Sequence, residues 1–414
     1  MIQDFNNNIA NIKNISLEEK KIREESLNSF LKEGFPNKKN EDWKFTDLNK
    51  IILDNFKELN SKSIKSTNEN VELIKDFEHN NIIMINGILH SHSFKYENAE
   101  KIKIKEFSIN SKNTIIKKNS LVNLNDALFE GGFSLEINQN YRCNKPLIIY
   151  NYFSKNLENV IINSKNSIKL NIESSLDLVE YNFGASKFNF VNNNHTNITI
   201  GEKASLKNYT IQGCKSNGFF YKFIQSFLKK NSNYEDYIFS SGLKFNKIEE
   251  NIEINGENAN CTIKSGLFLN EECQQEIKTL INHLKPNSKS YQKIKNVLSE
   301  ESRSAYQGKI FVKDVAQKTD AYQLSKALLL NDTSEFNAKP ELEIYADDVK
   351  CSHGSTSGSI NQDSIYYLMT RGLAKKEAIE LLTKAFLFEV AESISNPNIK
   401  NFVEKNLNEQ IYGY

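Results

Sequence analysis

The chain has 414 residues, with 53 Lys plus Arg against 52 Asp plus Glu, 39% hydrophobic residues and 25% charged residues. That apolar content supports a large core and excludes wholesale disorder, and a net charge of +1 excludes a nucleic-acid binder held by a broad basic face. No apolar run reaches the roughly 18–20 residues that span a bilayer, and the start MIQDFNNNIANIKN lacks both an apolar h-region and Arg-rich amphipathic character, so no membrane span, signal or transit peptide is expected.

In chain order, Ser16-Leu17-Glu18-Glu19 reads as a capping box opening a helix that ends at Gly34, with Pro36 preventing its continuation. Asn40–Leu48, NEDWKFTDL, holds the single tryptophan, Trp43. Residues 82–93 read as two strands around a turn at Asn86-Gly87, and His90 and His92, in a Ser-rich stretch, as surface histidines. From about 130 to 350 apolar and polar residues alternate in short runs, and a degenerate strand–corner–strand unit recurs. Its copies are Ile168–Ile172 with Leu176–Leu178, Ile198–Ile200 with Ala204–Leu206, Ile252–Ile254 with Ala259–Cys261, and a looser one at Ile310–Ala316. An apolar residue just after each turn, irregular spacing and corner-tolerant Asn favour a stacked β-solenoid over a sandwich, with Ile200, Leu206, Ile254 and Cys261 inside. Asn makes up about one residue in seven throughout, which weakens the last point.

Within this zone residues 272–284 read as a helix, carrying Cys273 beside Glu271 and Glu272 and closing at His283. His195, among Asn residues, is expected in a turn, and Cys143, Cys214 and Cys261 are expected to face a core. The tail reads as three helices, 362–370, 375–394 and 399–411. The second is apolar around much of its girth, so it is either buried in the chain's own core or docks a partner.

The densest chemical signal is Asp347-Asp348-Val349-Lys350-Cys351-Ser352-His353-Gly354. On a strand Cys351 and His353 share a face, and a thiolate beside an imidazole can hold a soft metal, carry a persulfide or act as a nucleophile; the alternative is a buried cysteine and a hydrogen-bonded histidine at a strand end. Two ligands hold no iron or zinc tightly, so a metal here needs further ligands from elsewhere or from a second chain. The five cysteines form no CxxC, which argues against a disulfide framework or zinc ribbon and for the reducing cytosol. There is no GxxxxGK[ST], GxGxxG, GxSxG or HExxH. From the residues alone, a generic β-solenoid interaction protein leads, and a carbohydrate-active β-helix enzyme trails for want of a secretion signal.

Gln307-Gly308-Lys309-Ile310, AQKTDAYQLSKALLLND, Pro340–Ile344, DDVKCSHGSTSG, Tyr366-Tyr367-Leu368, Arg371-Gly372-Leu373 and Glu377-Ala378 together resemble the SufB/SufD family of the SUF iron–sulfur cluster assembly machinery, over about residues 300–392. NEDWKFTDL resembles the SufD version of the first domain, so the chain lies closer to the SufD branch. The SufB-type cysteine after an Asp-Thr pair is here Ser334, after Asp332-Thr333, and the SufB-type Glu after the motif histidine is here Gly354. The resemblance implies a mainly β fold: a right-handed parallel β-helix over 126–360, a helical and mixed domain at 1–125 and a helical domain at 361–414. It implies a cytoplasmic, non-catalytic scaffold that pairs with SufB through β-helix edges, near 341–351, and holds the SufC ATPase on its C-terminal helices. It further implies a transient iron or iron–sulfur cluster shared with SufB, with His353 and Cys351 as candidate ligands. A flavin in the complex is a further implication that no sequence feature locates, and a homodimer is left open.

Overall fold

The computed structural model describes residue 9 and residues 15–61, 69–108, 119–212 and 216–412. The strands are β1 (Asn80–Ile85), β2 (Ile88–Ser93), β3 (Ile102–Glu106), β4 (Phe133–Ile137), β5 (Leu147–Phe153), β6 (Ile161–Leu170), β7 (Ser175–Gly184), β8 (Phe190–Ile200), β9 (Ser205–Gln212), β10 (Ser216–Leu228), β11 (Asn233–Ser240), β12 (Leu243–Ile254), β13 (Asn260–Leu269), β14 (Gln274–His283), β15 (Lys289–Leu298), β16 (Arg303–Val312), β17 (Asp320–Leu329), β18 (Glu335–Ile344) and β19 (Lys350–Ser359). Even strands from β4 to β18 form one sheet and odd strands from β5 to β19 the other, so successive strands alternate between sheets and the chain winds a parallel β-solenoid of about eight turns. β1, β2 and β3 precede residue 126 yet are hydrogen-bonded into these sheets.

Side chains stack in columns inside the coil because parallel registers hold turn after turn. One column in the even sheet runs Leu170, Ile200, Leu228, Ile254, His283, Val312. Facing it in the odd sheet is Leu176, Leu206, Tyr234, Cys261, Ser290, Ala321, Cys351. Ile200, Leu206, Ile254 and Cys261 are all interior, as the repeat copies require. The corners that lead into β5, β7, β9, β11, β13, β15 and β17 each carry a left-handed residue: Asn140, Glu173, Lys203, Asn231, Asn258, Asn287 and Lys318. Asn supplies four of these seven, since its short polar side chain tolerates that conformation. Each corner bonds to the next, for example Lys203 N–H to Lys230 O and Asn231 N–H to Glu257 O, both 2.9 Å. The residue just past the corner is small and buried rather than simply apolar: Ser174, Ala204, Ser232, Ala259, Ser288 and Thr319. The Ser174, Ser232 and Thr319 hydroxyls donate back to the corner carbonyls of Asn171, Lys229 and Ala316 at 2.6–2.7 Å.

Two expectations fail here. Residues 272–284 form no helix. Glu271 turns the chain at φ 55°, Cys273 follows it into the corner, and Gln275, Ile277, Thr279, Ile281 and His283 then point inward along β14. His195 is not in a turn but lies buried in the middle of β8. The hairpin at Asn86-Gly87 is as expected, with φ 51° and 78°, and His90 and His92 are exposed on β2.

Helices cover both outer faces of the coil. α1 (Leu17–Glu33) begins with Ser16 Oγ accepting from Glu19 N–H at 3.1 Å and ends at Gly34, φ 71°. The Glu19 carboxylate binds Arg23 rather than reaching back, so only half of the capping box forms. With α2 (Leu48–Asn55) and α3 (Ser120–Leu128), α1 packs Phe30, Phe56 and Leu124 into the cluster that holds Tyr221, Phe223 and Phe245 of the even sheet. Trp43 lies in that seam, 4.0 Å from the fully buried Lys247 ammonium, which is paired with Glu276 at 2.7 Å and accepted by Asp42 O at 2.7 Å. A desolvated cation–π contact of this kind is worth about 2 kcal/mol.

At the other end come α4 (Gln362–Thr370), α5 (Lys375–Ala391) and α6 (Pro397–Tyr412). Val390, Ala391, Phe402 and Val403 pack on Tyr150, Tyr209, Tyr237 and Phe239 of the odd sheet, while Leu387 packs on Phe268 and Val297. Much of the apolar girth of residues 375–394 is therefore the chain's own core. Glu389 grips Lys293 and Lys295, and those lysines hold its carboxyl down at about 2.

His283 supplies a test of the stacking. Its ring sits in an aliphatic column, with Nδ1 at 2.7 Å from Ser288 Oγ and Nε2 at 2.9 Å from Ser290 Oγ, and burial lowers its pKa to about 4. A depressed histidine contributes stability that is full above the unfolded value near 6.5 and is lost as pH falls toward 4, on the order of 3 kcal/mol. Thermal melts should therefore show His283→Leu losing less stability than the parent chain between pH 7 and pH 5. An equal loss in both would mean that the imidazole is not held neutral.

Candidate functional site

Strand β19 is the last turn of the odd sheet, and it continues the interior columns into open space. Cys351 follows Ala321, and His353 follows Gln323, which itself follows Gln292, Ile263, Asp236 and Asn208. Cys351 and His353 thus share the inward face of one strand, as their spacing requires. With no further turn beyond them, that face opens at the end of the coil: His353 is exposed and Cys351 half-buried.

The two residues differ in environment. Cys351 packs beside the Ile310, Val312, Ala316, Ala321 and Ala346 cluster, and burial raises its thiol above the ordinary value, opposed in part by a hydrogen bond to the Ala321 backbone. The adjacent Asp348 serves a corner: its carbonyl accepts from Lys318 N–H at 2.6 Å and its N–H donates to Gln317 Oε1 at 2.9 Å. Ser334 is a buried corner residue whose hydroxyl donates to Asn331 O at 2.7 Å. Cys143 is half-buried, its thiol pushed up to about 12 by burial, and Cys273 sits at a corner; Cys214 lies outside the described residues. Among the described residues no three His, Cys, Asp or Glu side chains gather where they could hold one metal ion.

Backbone direction adds what sequence could not show. In a parallel strand alternate residues turn their N–H and C=O to opposite sides. Lys350 N–H donates to Thr319 O, so the even-numbered residues of β19 face β17, and Cys351, His353, Ser355, Ser357 and Ser359 face the free edge. Tyr345 N–H donates to Val312 O and Glu335 N–H to Ser302 O, so Leu342 and Ile344, not Glu343, turn their amides outward on β18. On β19 the residues with inward side chains are the ones with free backbone groups.

Beneath this end lies a polar core that the sequence reading missed. The Thr279 hydroxyl donates to Gln292 Oε1 at 2.6 Å, Tyr306 Oη lies 3.0 Å from Gln292 Oε1 and 3.1 Å from Gln323 Oε1, and Gln323 Nε2 donates to Glu341 O at 3.2 Å. Deeper in, Lys222 pairs with Glu180 at 2.7 Å beside the buried acids Asp236 and Glu250; burial raises both, Asp236 to about 6. The available signal was period two: Gln292 and Gln323 stand two residues before Ile294 and Ser325 and share their inward face.

Residues 152–386, over half of the chain, match the family model described as SUF system FeS cluster assembly, SufBD core domain, and residues 1–149 match the SufBD protein N-terminal region. The chain is 25% identical over 404 residues to the iron-sulfur cluster assembly protein SufD of Escherichia coli, covering 94% of this chain and 92% of that protein. It is 27% identical over 247 residues to the SufD of Plasmodium falciparum, covering 59% of this chain and 16% of that protein, and 40% identical over 114 residues to a SufBD family protein of Synechocystis, covering 28% and 25%.

The raised Cys351 thiol carries a direct check. Peptide-resolved alkylation with iodoacetamide near neutral pH should modify Cys351 more slowly than a small free thiol, and the rate should climb as pH rises past 9. Rapid labelling at pH 7 would mean a thiolate that burial does not suppress.

Proposed function

Because the chain belongs to the SufBD family of the SUF iron–sulfur cluster assembly system, we propose that it is a SufD-type, non-catalytic scaffold: it pairs with SufB at the open end of the solenoid, holds SufC on its C-terminal helices, and contributes ligands for iron or a nascent cluster at the SufB junction. The observation that carries this reading is the edge itself. Residues 351–359, CSHGSTSGS, contain no charge, no proline and no bulge, and β19 holds unbroken register with β17. A long, flat, uncharged edge is a template for another chain, and proteins that keep an edge in water guard it. The opposite end shows such guards: a bulge where β1 meets β2, and exposed Lys103 and Lys105 on β3.

A SufB strand added to β19 would hydrogen-bond through the backbones of Cys351 and His353. That pairing sets the partner's inward side chains about 4.8 Å further along the same columns, beside the exposed imidazole. The cluster is cargo here, assembled from ligands on both chains and released when they part. His353 is the better ligand, since its imidazole is exposed at the end of the coil, whereas burial keeps the Cys351 thiol protonated. SufC would meet the exposed Tyr366, Tyr367 and Met369 of α4 and Leu381 of α5, the part of the C-terminal helices not spent on the core. The free cysteines Cys143, Cys261, Cys273 and Cys351 suit a reducing compartment, and we place the work in the cytoplasm; no described helix is long and apolar enough to cross a membrane.

His353→Ala should leave the complex with SufB and SufC assembled while cutting cluster accumulation at least tenfold, with Cys351→Ala milder; normal cluster yield in the histidine variant would return His353 to a surface role. The edge is tested separately. Ser357→Pro removes an outward donor of β19 without breaking the ladder to β17, so it should weaken capture of SufB several-fold while changing the melting temperature of the isolated chain little, and unchanged capture would place the junction elsewhere.

A further inference from the structure

The middle of the coil encloses three acids and one base. Lys222 on β10 pairs with Glu180 of β7 at 2.7 Å and donates to the Thr210 hydroxyl at 3.4 Å, so that ammonium already has a carboxylate. Asp236 on β11 has donors of its own, Asn208 Nδ2 at 2.9 Å and the Tyr234 hydroxyl at 3.4 Å. Glu250 on β12 has none. It stands between Ile224 and Thr279 in its column and is 0% exposed, and among the described residues neither of its carboxyl oxygens meets a hydrogen-bond partner. The titratable groups that face it are Asp236 and Tyr234 from β11, Lys222 from β10, Glu180 from β7, Cys261 from β13 and Tyr306 from β16. Lys222 is the one cation among these, and Glu180 holds it.

We propose that Glu250 carries a proton in the folded chain and acts as a pH-sensitive latch on the middle turns of the coil. A carboxylate removed from water, with no donor and no cation of its own, costs more than the same group protonated. Asp236 has two donors that favour its charged form, so of the two acids Glu250 is the one that keeps the proton. Burial raises both, Asp236 to about 6 and Glu250 well above its ordinary value, and the neighbouring Asp236 charge opposes a second one beside it. A cavity of about 40 Å³ lined by Glu180, Lys222, Thr210 and Asn246 has room for about two or three waters and gives a proton a polar approach to the cluster. Because the folded value of Glu250 lies above the unfolded one, the stability tied to its proton is full at low pH and is lost as pH rises through the folded value. Deprotonation then sets a second uncompensated charge inside the coil, which loosens the ladders that join β12 to β10 and β14.

The test uses the full chain. Its infrared spectrum at pH 7 should contain the carbonyl stretch of a protonated carboxylic acid, and glutamate labelled with 13C at the side-chain carboxyl should move that band, whereas labelled aspartate should not. In urea unfolding, each pH unit from 7 toward 9 should lower the folding constant of the parent chain about tenfold more than that of Glu250→Gln, because the folded parent holds one proton that the unfolded chain releases. At pH 9 the amides of β12 should exchange faster in the parent than in Glu250→Gln, where the neutral amide imitates the protonated acid. An absent infrared band, a band that moves with the aspartate label, or equal pH slopes in the two chains would each overturn the proposal. Should Glu250→Gln fail to fold, the labelled infrared spectra of the parent decide it alone.

Discussion

A parallel β-stack cannot end itself. Each turn satisfies the backbone of the turn before it and roofs the side chains beneath it, so the last turn always has an unpaired edge and half a core. In this protein the first turns are closed by antiparallel additions, β2 on β1 and β3 on β4, whereas β18 and β19 finish as open strands. Everything distinctive about the far end follows from that asymmetry. Leu342 and Cys351 are only partly buried although their column neighbours Ile310 and Ala321 are fully buried, and His353 stands in the place where an eighth roof should be.

The rest of the molecule reads as a means of holding that end in register. Charged groups are pinned under the helical caps. Lys247 and Glu276 beneath Trp43 lock the N-terminal segment to the even sheet, and Lys295 with Glu389 locks α5 to the odd sheet. The Lys247–Glu276 pair is fully buried, and removing one partner of such a pair typically costs about 3–5 kcal/mol. Inside the coil the aliphatic columns give way on one side to amides, hydroxyls and acids, from Glu180 and Lys222 through Asp236 and Glu250 to Tyr306 and Gln323. A polar core is less forgiving of slippage than an aliphatic one, because every misplaced group loses a partner.

Much of this was legible in the residues. The strand–corner–strand copies located the interior correctly because a period of two and a left-handed corner are local signals. Cys351 and His353 fell on one face because spacing alone decides that. Residues 272–284 misled for a physical reason: in the middle of the coil both faces of a strand are covered, so outward Glu276 and Lys278 are nearly as buried as inward Ile277 and Thr279. The two-residue alternation loses its meaning there, and the same charges that suggest a solvent face are in fact held under the N-terminal cap. His195 was misplaced likewise: its Asn-rich surroundings read as a turn, but Asn193 donates to Leu121 O of α3 and the His195 ring packs on Phe223, under the N-terminal helices. Which N–H groups face the free edge was never readable, because that depends on which residue opens the ladder.

The central claim is that the open end is completed by a second chain at Cys351 and His353. Hydrogen exchange resolved to the 341–359 segment, for the isolated chain and for its complex with SufB, tests it most directly. The amides of Leu342, Ile344, Cys351 and His353 should exchange freely alone and gain strong protection in the complex, while their alternating neighbours, already in the ladders to β16 and β17, should change little. Uniform protection, or none, across the segment in a fully assembled complex would contradict it.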